Sequence, residues 1–134
     1  MSEPVWIRQD VVLSMHEEAL QLHGGLEGVR DPGLLESALA RPWNLYAYSE
    51  KAPSLARLAA SYAKGIVANH PFADGNKRIA FIVSVTFLRL NGLQLTATKE
   101  DQVLTFWALA AGELTEEQLA RWFEANTQAR LAGE

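Results

Sequence analysis

The chain has 134 residues, 49% of them hydrophobic, and a formal net charge of −4 with a pI near 5.4. That length suits a single domain over residues 1–134, and the composition excludes wholesale disorder. An acidic balance without a long Lys/Arg run gives no footprint for nucleic acid, and the absence of cysteine removes disulfides and thiolate metal sites.

In chain order, MSEPVWIRQD carries an acid early and lacks the apolar core of a signal peptide. DVVLSMHEEALQLHGG has Val11, Met15, Leu20 and Leu22 near helical spacing, with Gly24-Gly25 as a stop. DPGLLESALARP begins a second helix, Asp31 as N-cap and Pro32 at its first position, and Pro42 is expected to end it. WNLYAYSEKAP then reads as a loop or short hairpin. Ser54 caps LARLAASYAKGIVAN, which should stop at His70 because the residue before proline is driven from helical angles.

KRIAFIVSVTFLRLNG is rich in β-branched residues but long for a strand, and Asn91-Gly92 marks a helix end. Being apolar nearly all round, it is expected to be the buried central helix. Its core, IAFIVSVTFL, is too short to span a bilayer, so a soluble cytoplasmic protein without membrane contact is expected. LQLTAT reads as a short strand. Thr98 and Thr115 open two more helices, the second with a capping box to Gln118 and running through EEQLARWFEANTQARL, with Leu119, Trp122, Phe123 and Asn126 on one face. The fold class is all-α.

Between the two central helices lies NHPFADGNKRIAF. A DGN turn feeds a helix at about Asn76, where the free N–H groups of a first turn and the helix dipole attract anions. Gly75 allows close approach of a phosphate, and Lys77 and Arg78 add positive charge. Asp74 repels an anion unless Mg²⁺ bridges it to phosphate oxygens. His70, as a neutral imidazole, can take a proton from a hydroxyl. An activated hydroxyl facing a phosphate chain means phosphoryl or nucleotidyl transfer.

Taken singly, each residue has an ordinary explanation: Asp-Gly is a common turn, Asp74 can cap a helix, Lys77 and Arg78 can be solvated, and Phe72 belongs to the core. Together they are a much less common accident. No GxxxxGK[ST] string is present, HEEALQLH has the wrong spacing for a zinc protease, and His16 and His23 read as packing or surface residues.

HPFADGNKR resembles the signature of the Fic/Doc superfamily, and of its death-on-curing (Doc) branch in particular. Fic enzymes read H-x-F-x-[DE]-G-N-G-R-x-x-R, and Doc-type toxins carry lysine at the last glycine, as Lys77 does here. GGLEGVRDPGLLESALARPWNLYAY, FLRLNGLQLTA and LALAAGELTEEQLARWF are similar to the flanking blocks of Doc-like proteins. The resemblance implies a helical bundle around a buried central helix, with a small flap or hairpin beside the active-site loop. It makes His70 the general base, Asp74 the Mg²⁺ ligand, and Gly75, Asn76, Lys77 and Arg78 the nucleotide- and phosphate-binding residues. Trp43, Asn44, Leu45, Tyr46, Ala47 and Tyr48 match the target-docking flap.

Lys77 replaces the glycine that permits AMP transfer, and Phe81 stands where the Fic pattern has its last arginine. The resemblance therefore implies ATP-dependent phosphorylation of a host translation protein, elongation factor Tu as first guess, by a toxin of a toxin–antitoxin system. A Fic-type adenylyltransferase and a catalytically inactive binding module are the alternatives. The nearest string to the self-inhibitory [ST]-x-x-x-E-[GN] helix, Ser14 to Glu18 followed by Ala19, reads as ordinary amphipathic helix. Restraint is thus expected from a prevents-host-death-type antitoxin.

Overall fold

Four helix starts follow side-chain chemistry. Asp31, Ser54, Thr98 and Thr115 accept hydrogen bonds from the N–H groups of Leu34, Arg57, Asp101 and Gln118, and Thr115 with Gln118 forms the full capping box. The computed structural model describes residues 3–130. Among them the helices are α1 (Gln9–His23), α2 (Pro32–Tyr48), α3 (Leu55–Asn69), α4 (Asn76–Leu90), α5 (Lys99–Ala110) and α6 (Glu116–Ala125). Two short strands, β1 (Leu93–Leu95) and β2 (Thr127–Ala129), pair antiparallel with Gln94 opposite Gln128. Among the described residues no helix is long and apolar enough to cross a membrane.

The bundle surrounds a buried central helix, but that helix is α3 rather than α4. α3 packs against α2, α4, α5 and α6, and it buries residues on every side, from Ala56 through Ile66. α4 buries one stripe, Ile79, Ala80, Val83, Ser84, Phe87 and Leu88. The difference is size rather than hydropathy: alanines and Gly65 let neighbours approach α3 from all sides.

α2 runs on through Pro42, in contact with α3 at Gly65. Pro42 lies inside the helix and is buried. Having no N–H, it leaves Ala38 O without its usual i+4 donor. That carbonyl is turned toward Gly65, where a Cβ would stand 3.2 Å from Ala38 O and 3.4 Å from Ala38 Cα. Arg41 Cδ at 3.3 Å is a side-chain atom that can give way, but the two Ala38 atoms are backbone, so Gly65→Leu is expected to lower stability by about 2–3 kcal/mol, measured by urea unfolding. An unchanged midpoint would mean the two helices can move apart freely.

Residues 43–48 are accordingly the last turns of α2 and not a hairpin. They are also remote from the motif loop. Asn69 Nδ2 donates to Leu34 O at the start of α2, whereas Tyr46 packs edge-on against Trp6, which stacks on Phe87. Twelve residues of helix separate Leu34 from Tyr46, about 18 Å.

Two further expectations change. In α1 the fully buried positions are Val12, His16 and Ala19; of the expected apolar stripe, Met15 and Leu20 are half-buried and Val11 and Leu22 are exposed. α6 stops at Ala125. Asn126 caps it, its Nδ2 donating to Trp122 O, and the chain turns into β2. Leu131, the end of the expected helical run, lies outside the described residues. Glu116 at the start of α6 pairs with Arg41 of α2 at 2.6 Å and with Arg57 of α3, tying three helices together.

Candidate active site

The loop between α3 and α4 is closed by its own backbone and by one asparagine. α3 ends at Asn69, and His70 adopts left-handed angles (φ 52, ψ 54), the one non-glycine residue with positive φ among those described. Its N–H donates to Ile66 O. Six residues further on, Asn76 Oδ1 accepts from Phe72 N–H at 3.0 Å, and Asn76 Nδ2 donates to Phe72 O at 2.9 Å. Asn76 and Phe72 are both buried, so the clamp satisfies groups that water cannot reach. Both polar atoms of the Asn76 side chain are thereby engaged with the Phe72 main chain, while its backbone N–H lies in the first turn of α4.

Beneath the loop sits His16. Its ring stacks on Phe72 with centroids 3.8 Å apart, and its Nε2 lies 2.8 Å from Asp74 O. A carbonyl only accepts, so Nε2 carries the hydrogen. Beside the loop runs the segment 24–31. Arg30 and Asp31 donate their N–H groups to Pro71 O, Ala73 N–H donates to Gly28 O, and Val29 bridges Phe72 antiparallel. The Arg30 guanidinium adds bonds to His70 O and Asn69 O at 2.8 and 2.9 Å. The strip beside the motif is therefore 24–31, not 43–48.

α4 begins without a side-chain cap. Gly75, at φ 77, is its N-cap, and its own N–H goes to Asp74 Oδ1. The first intrahelical bond runs from Ile79 N to Gly75 O, so the N–H groups of Asn76, Lys77 and Arg78 point out of the helix end without an intrahelical acceptor. A helix end of this kind attracts anions. Asp74 completes the arrangement. Its Oδ2 accepts from Leu26 N–H at 3.1 Å and its Oδ1 from Gly75 N–H at 2.9 Å, and these two bonds, helped by Arg78, hold its carboxyl below the ordinary range. It is ionised at neutral pH.

His70, Asp74, Gly75, Asn76, Lys77 and Arg78 line one open cleft of about 460 Å³, together with His23, Gly24 and Gly25. All six motif residues singled out in the sequence thus share a single cavity. Lys77 is desolvated, and with Arg78 beside it its pKa is lowered; its Nζ lies 3.3 Å from the centroid of the Trp107 ring. The cleft offers an imidazole, a carboxylate, two cations and a helix terminus, which is a set suited to a phosphate chain and a hydroxyl acceptor.

A family model described as the Fic/DOC family matches residues 6–88. The chain belongs to the Fic/DOC family. That span of the Fic/DOC chain runs from Trp6 to Leu88, in the last turn of α4, and includes the whole motif loop. Over 127 residues, 95% of each chain, it is 33% identical to the protein kinase doc of Escherichia phage P1. It is also 43% identical over 74 residues to the toxin Doc of Mycolicibacterium smegmatis, covering 55% of this chain and 57% of that one.

Among the described residues no group of three or more His, Asp or Glu could hold a metal. A single ionised, exposed carboxylate next to an anion site nonetheless fits Mg²⁺ arriving with a nucleotide, because Mg²⁺ is commonly held by one or two carboxylates and the phosphates themselves. Three contributors escaped the sequence reading. Arg30 and Leu26 act through long-range and backbone bonds that leave no motif. His16 could have been found, since it occupies the inward position of the 12–16–19 spacing on α1.

Proposed function

We propose that this Fic/DOC chain is a Doc-like toxin that transfers the γ-phosphate of ATP to a Thr or Ser hydroxyl of a host translation protein, elongation factor Tu being the first candidate. One observation carries the reading: His70 and Asp74 face the same cleft as the open N-terminus of α4. Lys77 in place of the Fic glycine favours the γ-phosphate over AMP, and the relative named as a protein kinase agrees with that choice.

In this reading the phosphates lie against the N–H groups of Asn76, Lys77 and Arg78, with the Lys77 and Arg78 side chains offsetting their charge. Asp74 would hold the Mg²⁺ that travels with ATP and neutralises part of the phosphate charge. His70 accepts the proton of the acceptor hydroxyl as its oxygen bonds to the γ-phosphorus, and the bond from that phosphorus to the bridging oxygen breaks, releasing ADP. The 24–31 strip, adjoining the loop, is the docking edge for the acceptor segment. The relative named toxin Doc supports a toxin–antitoxin partnership, and in this reading the antitoxin is of the prevents-host-death type.

The test is incubation with elongation factor Tu and ATP labelled at either the α- or the γ-phosphate. Transfer of γ label alone is expected. Transfer of α label would install adenylylation in its place, and no transfer to any translation protein would leave only a binding module.

Asp74→Asn separates a metal-holding role from a purely structural one. The amide oxygen can still accept one loop N–H, but the charge is gone. Calorimetry is expected to show Mg²⁺-ATP binding weakened about tenfold and metal-free ATP binding strengthened, as removal of a like charge beside the phosphates requires. Equal affinities for the two forms would confine Asp74 to holding the loop.

A further inference from the structure

Between α1 and the 24–31 strip lies a cavity of about 280 Å³, none of whose lining residues belongs to the phosphate cleft. Its apolar wall is Leu13 and Leu20 of α1 with Val29 and Phe72, and Leu13 is left exposed to solvent. The ionisable side chains on it are all acceptors. Glu17 lines it from α1 and Glu27 from the strip; both are exposed, and neither pairs with a cation among the described residues. His16, only 5% exposed, also borders it. Because Nε2 carries the hydrogen donated to Asp74 O, Nδ1 of the neutral ring is a lone-pair acceptor, and it has no hydrogen-bond partner among the described residues. The strip adds a main-chain edge. Gly28 O and Arg30 N–H are bonded to the motif loop, so the N–H and C=O of Val29 between them point the opposite way.

An apolar wall, three unpartnered acceptor groups and two negative charges suit one kind of guest: a long aliphatic side chain with a cationic, hydrogen-donating head. We propose that this cavity receives a lysine or arginine side chain of the acceptor segment, so that the protein selects hydroxyls with a basic residue nearby. This rests on the reading that the 24–31 strip docks the acceptor. A segment laid along the strip passes from the phosphate cleft, bordered by Gly24 and Gly25, to the cavity, bordered by Gly28 and Val29. At about 3.3 Å per residue of extended chain, the basic residue then stands roughly three to five positions from the hydroxyl. An acidic side chain at that position would be repelled by both carboxylates.

Fluorescent threonine peptides carrying arginine, alanine or glutamate at each flanking position test this, with binding read by anisotropy and transfer by γ-labelled ATP. At one position arginine is expected to bind about fivefold or more tightly than alanine, with glutamate weaker still. Transfer at limiting peptide should follow the same order. Glu17→Gln combined with Glu27→Gln should bring the arginine preference below about twofold and leave binding of the alanine peptide and of Mg²⁺-ATP unchanged. Both residues are exposed, so the fold should be unaltered, which circular dichroism checks. No arginine preference in the unaltered chain, or one that survives the double variant, overturns the site. Spermidine binding with no preference among the peptides also overturns it, and would give the cavity to a free polyamine. Charge-dependent peptide binding without transfer of label would remove the phosphotransfer reading and keep the pocket; transfer indifferent to peptide charge would do the reverse.

Discussion

His70→Asn is expected to lower phosphate transfer by about 10²- to 10⁴-fold, the usual contribution of a positioned general base. Asparagine is the informative replacement because the position demands left-handed backbone angles (φ 52), which asparagine tolerates better than most residues. The anchoring contacts of this residue are made by its main chain: its N–H to Ile66 O, and its carbonyl from the Arg30 guanidinium. They survive the substitution, so thermal unfolding should match that of the unaltered protein while transfer, measured with γ-labelled ATP, collapses. Expression of the variant in the host should also no longer arrest growth. Full transfer by a folded His70→Asn protein would remove the imidazole from the chemistry.

The second large effect is on stability. Asn76→Ala deletes both side-chain bonds to Phe72 and leaves a buried N–H and a buried carbonyl unpaired. Each such group costs about 1–3 kcal/mol, offset by less than about 1 kcal/mol from the better helix propensity of alanine, so a net loss of about 2–4 kcal/mol is expected in urea unfolding. The damage should reach the site as well. Phe72 supports the His16 ring, and His16 Nε2 holds Asp74 O, so a relaxed Phe72 loosens the turn that aims the first N–H groups of α4. Phosphate binding should therefore fall although the deleted side chain faces away from the ligand. A loss below about 1 kcal/mol would mean that the loop finds other partners for Phe72.

What could be read from the sequence follows from how local its causes are. The motif loop was legible because caps, a proline-limited helix end and a glycine turn act within a few residues, and the structure keeps those boundaries at Asn69, Gly75 and Asn76. The course of α2 was not. Pro42 is a helix breaker by local rules, yet α2 runs through it to Tyr48 while packed against α3, where Ala38 O faces Gly65, a residue 27 positions away in the chain. Residues 43–48 are thus helix rather than hairpin, and the strip beside the motif is 24–31. β2 was hidden for the same reason: Thr127–Ala129 extends because β1 offers a partner, against a run of residues suited to helix. Asn76 was singled out for phosphate binding, and the structure gives its side chain a further task, bonding to the Phe72 main chain across the loop.

Mass spectrometry of host proteins after brief induction decides whether this cleft transfers a γ-phosphate to a hydroxyl of a translation protein. Phosphorylated threonine or serine is expected on elongation factor Tu or another translation protein, present with the unaltered chain and absent with His70→Asn. AMP adducts, or growth arrest with no modified protein at all, would contradict it.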